Sequence, residues 1–279
     1  MLKHLTKLAL IVEYDGFRYH GFQLQPASPT VQEVLEQAAL AFTGRPARVD
    51  CASRTDAGVH AEAQVVSLRT DSPHAPGVWV GALNYYLPDD VAVLAAYQVP
   101  DDYNVRTAAT GRRYRYSILN RSTRSPLSRH RAFWVPKPLD LDAMNEAAAH
   151  LLGERDFGPF CGPMKKGVGT VRKLTKVEFR RDGDYVHFWV EGNAFLPQQV
   201  RRMTGALVEV GLGKRTLPVF DAKADNGQRG SMGPTLPPYG LTLVEVFYSG
   251  FPSGNKAQQH IQDNEDEFES VRLRALSIR

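Results

Sequence analysis

The run Ser53-Arg54-Thr55-Asp56-Ala57-Gly58-Val59-His60-Ala61 is too polar for a core strand and too interrupted for a helix, so the chain must make a loop there. The flanking segments, Ala47 to Ala52 and Glu62 to Leu68, read as short strands. Asp56 is therefore expected on a tight connection between two strands, held by a scaffold rather than fraying in solvent. A positioned carboxylate two residues from a fixed cation is what a nucleophile or general base needs. The same residues also fit a plain turn, because an Asp before Ala-Gly often bonds its own backbone. His60 fits a structural histidine as readily as a catalyst.

Around this loop the pattern alternates between strand and helix. Leu8 to Tyr14 reads as a first strand, followed by a glycine- and aromatic-rich loop from Gly16 to Phe22. Thr30 and Glu33 form a capping box ahead of a helix with Val31, Val34, Leu35, Ala38 and Phe42 on one face, ended by Gly44. Val78 to Leu87 reads as a helix stopping before Pro88, and Val91 to Val99 as a strand. The second half opens with strands at Arg113 to Asn120 and Arg131 to Val135. A helix capped by Asp140 or Asp142 follows, with Met144, Ala147, Ala148 and Leu151 on one face and Gly153 as its close. Val171 to Arg181 and Tyr185 to Glu191 flank Asp182-Gly183, a type I′ hairpin signal. Gln199 to Val210 reads as a helix and Leu241 to Phe247 as a last strand. Both halves share the order strand, helix, paired strands, which points to two similar α+β units. Arg155 to Thr170 and Asp221 to Pro238 read as long irregular segments, which are usually functional or disordered. Beyond Ser249 the core pattern is lost, and Phe268, Val271 and Ala275 suggest one short amphipathic helix in a polar tail.

Several classes of protein are disfavoured. No apolar run reaches membrane-spanning length, and Leu8 to Val12, stopped by Glu13 and Asp15, is too short for a signal peptide. Cys51 and Cys161 have neither zinc nor disulfide-framework spacing, which suits a reducing cytoplasm. There is no metal-ligand spacing, no Gly-x-Ser-x-Gly elbow and no phosphate loop. Gly211-Leu212-Gly213-Lys214 follows a helix and reads as its C-terminal turn.

The net charge of +4 says less than its distribution. Arg106 to Arg131 holds eight arginines and no acid, and Lys165 to Arg181 is basic with Glu178 as its one acid. By contrast, Asp263, Glu265, Asp266, Glu267 and Glu269 cluster near the end. A one-sign segment beside an aromatic strand fits a polyanion partner or a solvated basic face. What survives is a lone carboxylate, arginines, and aromatics expected to be exposed, such as Tyr114.

These residues resemble the TruA family of tRNA pseudouridine synthases. Arg54-Thr55-Asp56-Ala57-Gly58-Val59-His60 is similar to the family signature. Other matching pieces follow in order: Tyr14-Asp15-Gly16 with Gly21-Phe22-Gln23; Arg112-Arg113-Tyr114-Arg115-Tyr116; Asp156-Phe157 with Phe160-Cys161; Gly192 to Leu196 with Val200-Arg201; and Pro237-Pro238 before Gly240-Leu241. The resemblance spans about residues 5 to 248. It departs from the usual pattern at Ser53, where a glycine is usual, at Pro197-Gln198-Gln199, where His-His-Met is usual, and at Arg202, where an asparagine is usual.

The resemblance implies an isomerase that converts uridine to pseudouridine in the anticodon stem-loop, at tRNA positions 38, 39 and 40. Asp56 matches the nucleophile, Tyr114 the residue stacking on the base, and Arg54 an arginine that displaces the nucleotide from the stack. Arg201 matches an arginine that pairs with the carboxylate, and an opposite charge so close favours the ionised, nucleophilic form. Arg112, Arg113, Lys165, Lys166 and Arg202 are expected to contact RNA along with Arg54 and Tyr114. The implied fold is two RNA-recognition-motif-like α+β domains (1–105 and 106–248, with a tail at 249–279) packed to form a central sheet and a basic cleft. The implied enzyme is a cytoplasmic homodimer binding tRNA, with no cofactor, metal or membrane. The alternative is a non-catalytic RNA-binding or RNA-chaperone protein of the same fold. An aspartate-dependent nucleic-acid hydrolase is disfavoured by the lack of paired carboxylates.

Overall fold

The computed structural model describes residues 5–165 and 167–250. In chain order these form β1 (Thr6–Tyr14), α1 (Val31–Thr43), β2 (Asp50–Cys51), β3 (His60–Thr70), α2 (Pro76–Tyr86), β4 (Val91–Val99), β5 (Ala109–Leu119) and β6 (Phe133–Trp134). Then follow α3 (Leu141–Ala149), β7 (Gly153–Asp156), β8 (Val171–Asp182), β9 (Tyr185–Gly192), α4 (Gln199–Gly211), α5 (Leu217–Asn226) and β10 (Leu241–Tyr248). The strands make one large mixed sheet in the order β4-β1-β3-β10-β5-β9-β8-β7, with β2 paired to β3 and β6 to β5. The class is mixed α/β. The expected tail helix and acidic cluster lie outside the described residues, as does Lys166.

The sheet is closed at its middle by the last described strand. β10 runs antiparallel to β5 along its length but meets β3 in parallel over two pairs, Thr242 with His60 and Leu243 with Ala61. Strand registers then set one lateral row across the centre: Tyr14, Ala61, Leu243, Tyr114, Val190. Strands lie roughly 4.8 Å apart, so Tyr14 and Tyr114 stand about three spacings from each other, on either side of the start of β3. All five are buried and belong to one continuous core. That core combines Leu8, Leu10 and Val12 with Leu35, Trp79 and Leu83, and extends through Tyr116 and Phe188 to Met203 and Leu207. Each fully buried Leu or Phe contributes about 1.5–3 kcal/mol over an exposed one. Alternate residues of β1, β3 and β4 face the other way, where Ile11, Ala63 and Ala95 form a small second cluster.

Local signals explain most elements. Thr30 Oγ1 accepts from the Glu33 N–H (3.3 Å), and Gly44 ends α1 at φ 69°. The reciprocal half of the capping box does not form, and the Glu33 carboxylate accepts from Gln37. Asp140, not Asp142, caps α3. The turn after α4 closes as expected, with Gly213 at φ 67° and the Lys214 N–H donating to Glu209 O (2.8 Å).

Five expectations are corrected. The β8–β9 turn has positive φ at Gly183 and not at Asp184, which fits type II′ rather than I′. Gly153 does not close α3, which ends at Ala149; it opens β7 at φ 89°. The segment from Arg155 includes the end of that strand and a short 3-10 turn at Gly158–Phe160. The region from Asp221, expected to be irregular, begins inside α5. Finally, the strands around 47–52 and 131–135 shrink to two residues each, with two ladder pairs to β3 and to β5 respectively. Among the described residues no helix is long and apolar enough to cross a membrane.

Candidate active site

Asp56 lies on the loop between β2 and β3, and buried groups clamp that loop from below. The Gln64 side chain, fully buried, accepts from the Ser53 N–H (3.2 Å) and donates to Ser53 O (2.6 Å), so one carboxamide satisfies both backbone polar groups of one residue. On one side of Arg54, Thr55 Oγ1 bonds the Tyr14 hydroxyl (2.8 Å). On the other, Ser53 Oγ bonds the Tyr114 hydroxyl (2.9 Å). The two tyrosines of the central row thus hold the two neighbours of Arg54 through their hydroxyls.

Distant glycine-rich pieces complete the clamp. The Phe22 N–H donates to Thr55 O (3.2 Å), and a side chain at Gly21 (φ 91°) would bring Cβ within 2.8 Å of that carbonyl. The Gly58 N–H donates to Tyr19 O (3.1 Å). Gly58 itself has φ 77° and packs on Pro238, so a Cβ there meets both strain and a clash. Tyr116 donates to Pro237 O (2.8 Å), which anchors the Pro-Pro segment over the loop.

Arg201, in the first turn of α4, approaches from above. Its Nε donates to Leu236 O (2.7 Å) and its Nη1 to Asp56 Oδ2 (3.2 Å). Its side chain is 13% exposed and that of Asp56 37%, so the carboxylate is the more solvent-accessible member of the pair. Two cavities, of about 530 and 580 Å³, flank Asp56. Tyr114, Arg106 and Arg112 line the first, Arg201 and His20 the second, and Arg54, Thr55, Asp56 and Gln198 line both.

Tyr114 is buried rather than exposed, contrary to the expectation from sequence. It packs edge-on against Phe195 (5.1 Å between centroids, 81°). Burial pushes its phenol up to about 12, so the hydroxyl is protonated at neutral pH.

The arginines of β5 divide by strand period. Arg112, on the face of Tyr114, is buried and donates to Ala52 O (2.9 Å), Asn193 O (2.8 Å) and Arg106 O (3.1 Å), tying three backbone segments together. Arg113 points to the other face, where Glu191 and Glu245 each hold it at 2.8 Å. Arg115 pairs with Glu62, Arg121 with Asp184 and Arg131 with Asp15. Much of the acid-free arginine segment therefore finds carboxylates contributed by other segments. Arg54, Arg106 and Lys173 are exposed and enter no ion pair among the described residues, and Arg229 acts on the Asp156 carboxylate. Lys165 is exposed, and Arg202 donates to Gly230 O (2.9 Å) and to Gln198 Oε1 (3.4 Å).

His60 lines a different cavity, on the opposite face of the sheet. Its Nε2 meets two carbonyls, His130 O (2.9 Å) and Tyr239 O (3.1 Å), and so carries the proton. Its Nδ1 accepts from the Gly16 N–H (3.1 Å), and burial pushes the imidazole below its usual range. Although Asp15 Oδ1 lies 3.0 Å from Nδ1, the ring is neutral and the contact is not an ion pair. His60 staples three segments beneath the loop. Among the described residues no group of His, Cys, Asp and Glu is placed to hold a metal ion.

Sequence reasoning did not mark Gln198 as a site residue, and it took Arg106 as one of the acid-free arginine segment. Gln198 is one of two non-glycine residues with positive φ among those described (60°), a strain of order 1–3 kcal/mol that concentrates at functional sites. No local signal marked it beyond its departure from the family pattern.

Residues 10–107 and 147–249 match the family model described as tRNA pseudouridine synthase. The chain is 42% identical over 266 residues to tRNA pseudouridine synthase A of Myxococcus xanthus, covering 94% of this chain and 100% of that protein. It is 41% identical over 242 residues to the protein of that name in Burkholderia thailandensis (87% and 90% covered). With that of Geotalea uraniireducens it shares 38% identity over 244 residues (88% and 100%). A solved Cbf5-Nop10-Gar1 complex is a far weaker match, at TM-score 0.33 and 16% identity over 72% of this chain and 45% of that one. The extent of the sequence matches leaves one reading: this chain belongs to the tRNA pseudouridine synthase family.

Proposed function

We propose that this protein isomerises uridine to pseudouridine in tRNA, with Asp56 as the nucleophile. The observation that carries this reading is the Asp56 carboxylate on a clamped loop, bonded to Arg201 at 3.2 Å, at the mouth of a cavity walled by Tyr114 and Arg54. Isomerisation breaks the N1–C1′ bond, turns the base, forms C5–C1′, releases the C5 proton and leaves a proton on N1. Substrate and product have one composition, so the reaction needs a nucleophile and a confining pocket rather than an external oxidant or reductant. Lifting the base from its stack costs a few kcal/mol, which an aromatic wall offsets. Tyr114 supplies that wall, and Arg54, exposed beside Asp56, takes the place of the displaced base.

The target lies in the anticodon stem-loop, at tRNA positions 38 to 40, and one tRNA spans the two subunits of a cytoplasmic homodimer. Residues 1–105 and 106–248 are two RNA-recognition-motif-like units, and 249–279 a polar tail. Arg54, Arg106, Lys173 and Arg229 carry the phosphate contacts, together with Lys165, Lys166 and Arg202. The support is charge accounting: Arg54, Arg106 and Lys173 enter no ion pair among the described residues, whereas Arg113 is doubly paired on the far face. RNA is held mainly through shape and phosphates, and its base is read after flipping.

The test is tRNA incubated with wild-type and Asp56→Ala protein, followed by mapping of pseudouridine and measurement of proton release from uridine C5. We expect product at positions 38 to 40 with the wild type alone. Full activity in the variant removes Asp56 from the mechanism. Tight tRNA binding without product in the wild type favours a non-catalytic RNA-binding protein.

A further inference from the structure

Gln198 occupies the N-cap of α4 in a left-handed conformation (φ 60°, ψ 3°) and makes no capping bond with its side chain. An N-cap residue ordinarily sits in the β region and covers the first-turn N–H groups. The Gln198 side chain instead lies across Gly162, where a Cβ would come within 2.8 Å of its Cδ and Oε1. Arg202 Nε lies 3.4 Å from the same Oε1. A guanidinium offers donors alone, so the carboxamide must turn its oxygen to Arg202. Its Nε2 has no partner among the described residues. Of the four residues that line both cavities beside Asp56, Thr55 is engaged by Tyr14, and Asp56 and Arg54 are charged. Among these four, Gln198 is the neutral side-chain donor left uncommitted.

We propose that Gln198 is a catalytic residue whose Nε2–H donates to a carbonyl oxygen of the target uracil. The inference rests on the function proposed above. Either course open to Asp56 puts negative charge on a uracil carbonyl. Attack at C6 makes an enolate at O4; attack at C1′ expels the uracil anion, with its charge shared by O2 and O4. A donor fixed beforehand at that oxygen stabilises the charge as it develops, with no proton changing hands. Gly162 leaves the space for the side chain, Arg202 sets the direction of the amide, and the left-handed turn brings the side chain to both cavities.

The test compares wild type, Q198A, Q198G and Q198E in tRNA turnover, with D56A as the inactive control and Tm measured for each. Glycine relieves the backbone strain, so Q198G is expected to melt no lower than wild type. Its kcat should nevertheless fall by on the order of 10²-fold, with KM changed little, as for loss of one preorganised donor. Q198A and Q198E should lose at least as much, since neither presents an N–H. Wild-type kcat in Q198G, or a rise in KM alone, overturns the inference and leaves the proposed function standing. Absence of pseudouridine with the wild type overturns both.

Discussion

Arg201 Nη1 and Asp56 Oδ2 stand 3.2 Å apart across 145 residues of sequence, and the same guanidinium donates through Nε to Leu236 O. One end of Arg201 is thus anchored to backbone while the other orients the carboxylate. Removing the cation leaves the loop clamped by Tyr14, Gln64 and Tyr114. Arg201→Ala is therefore expected to fold and to bind tRNA nearly as the wild type does, while kcat falls by on the order of 10²-fold. Arg201→Lys retains the charge but cannot make both bonds, so it should lie between. Single-turnover proton release from C5 measures this; wild-type rates in R201A would separate the arginine from the chemistry.

The Ser53–Tyr114 bond makes a separate prediction about stability. Ser53→Ala leaves the buried Tyr114 hydroxyl without its partner, at a cost of about 1–3 kcal/mol. Tyr114→Phe removes both the hydroxyl and that cost, so in the S53A/Y114F double variant the two effects should not add. Urea unfolding of the four proteins in the cycle reads the coupling, expected near ~1 kcal/mol. Strict additivity would mean that the two hydroxyls do not interact.

What was legible in the sequence was local. Thr30 and Gly44 delimit α1 because caps act within one turn. α5 was missed because just Phe220 and Ala224 of its ten residues are buried, too few to show a helical period. The split of Arg112 from Arg113 was available, since neighbours on a strand face opposite ways, but the acid-free composition hid the carboxylates that β9 and β10 bring. Asp56 was visible as a loop carboxylate. Its pairing with Arg201 and its closeness to Tyr114 depend on the two-pair seam between β3 and β10, which no periodicity encodes. Those partners came from the family pattern.

The division of cations predicts which of them RNA feels. Arg106 and Lys173 are exposed and lack carboxylate partners, whereas Arg113 is doubly paired on the far face. Arg106→Ala and Lys173→Ala should each weaken tRNA binding and reduce the slope of log K against log salt by about 0.7–0.9, the value for one phosphate contact. Arg113→Ala should leave that slope unchanged and lower stability by about 1 kcal/mol or less, because its ion pairs are partly solvated. Binding titrations at three salt concentrations decide it. An equal loss of slope in R113A would contradict the division.

Acid should loosen the support beneath the Asp56 loop. His60 is held neutral by burial, with Nε2–H on two carbonyls and Nδ1 accepting from Gly16, so the folded protein resists protonating it. Its folded pKa lies below the ordinary value of 6.5. The unfolded chain therefore takes up the proton first as pH falls. The stability contributed by His60 is complete above 6.5 and declines below it, by up to ~1.4 kcal/mol per pH unit. His187, also lowered, chiefly by burial and then by Arg115, adds to the same trend. His60→Gln keeps a donor toward the carbonyls of His130 and Tyr239 but cannot titrate. Urea midpoints at pH 7.5, 6.5 and 5.5 should fall less steeply in H60Q than in wild type, with the remaining slope due to His187 and the carboxylates. Identical slopes would mean that His60 protonates as readily in the folded protein as in the unfolded chain.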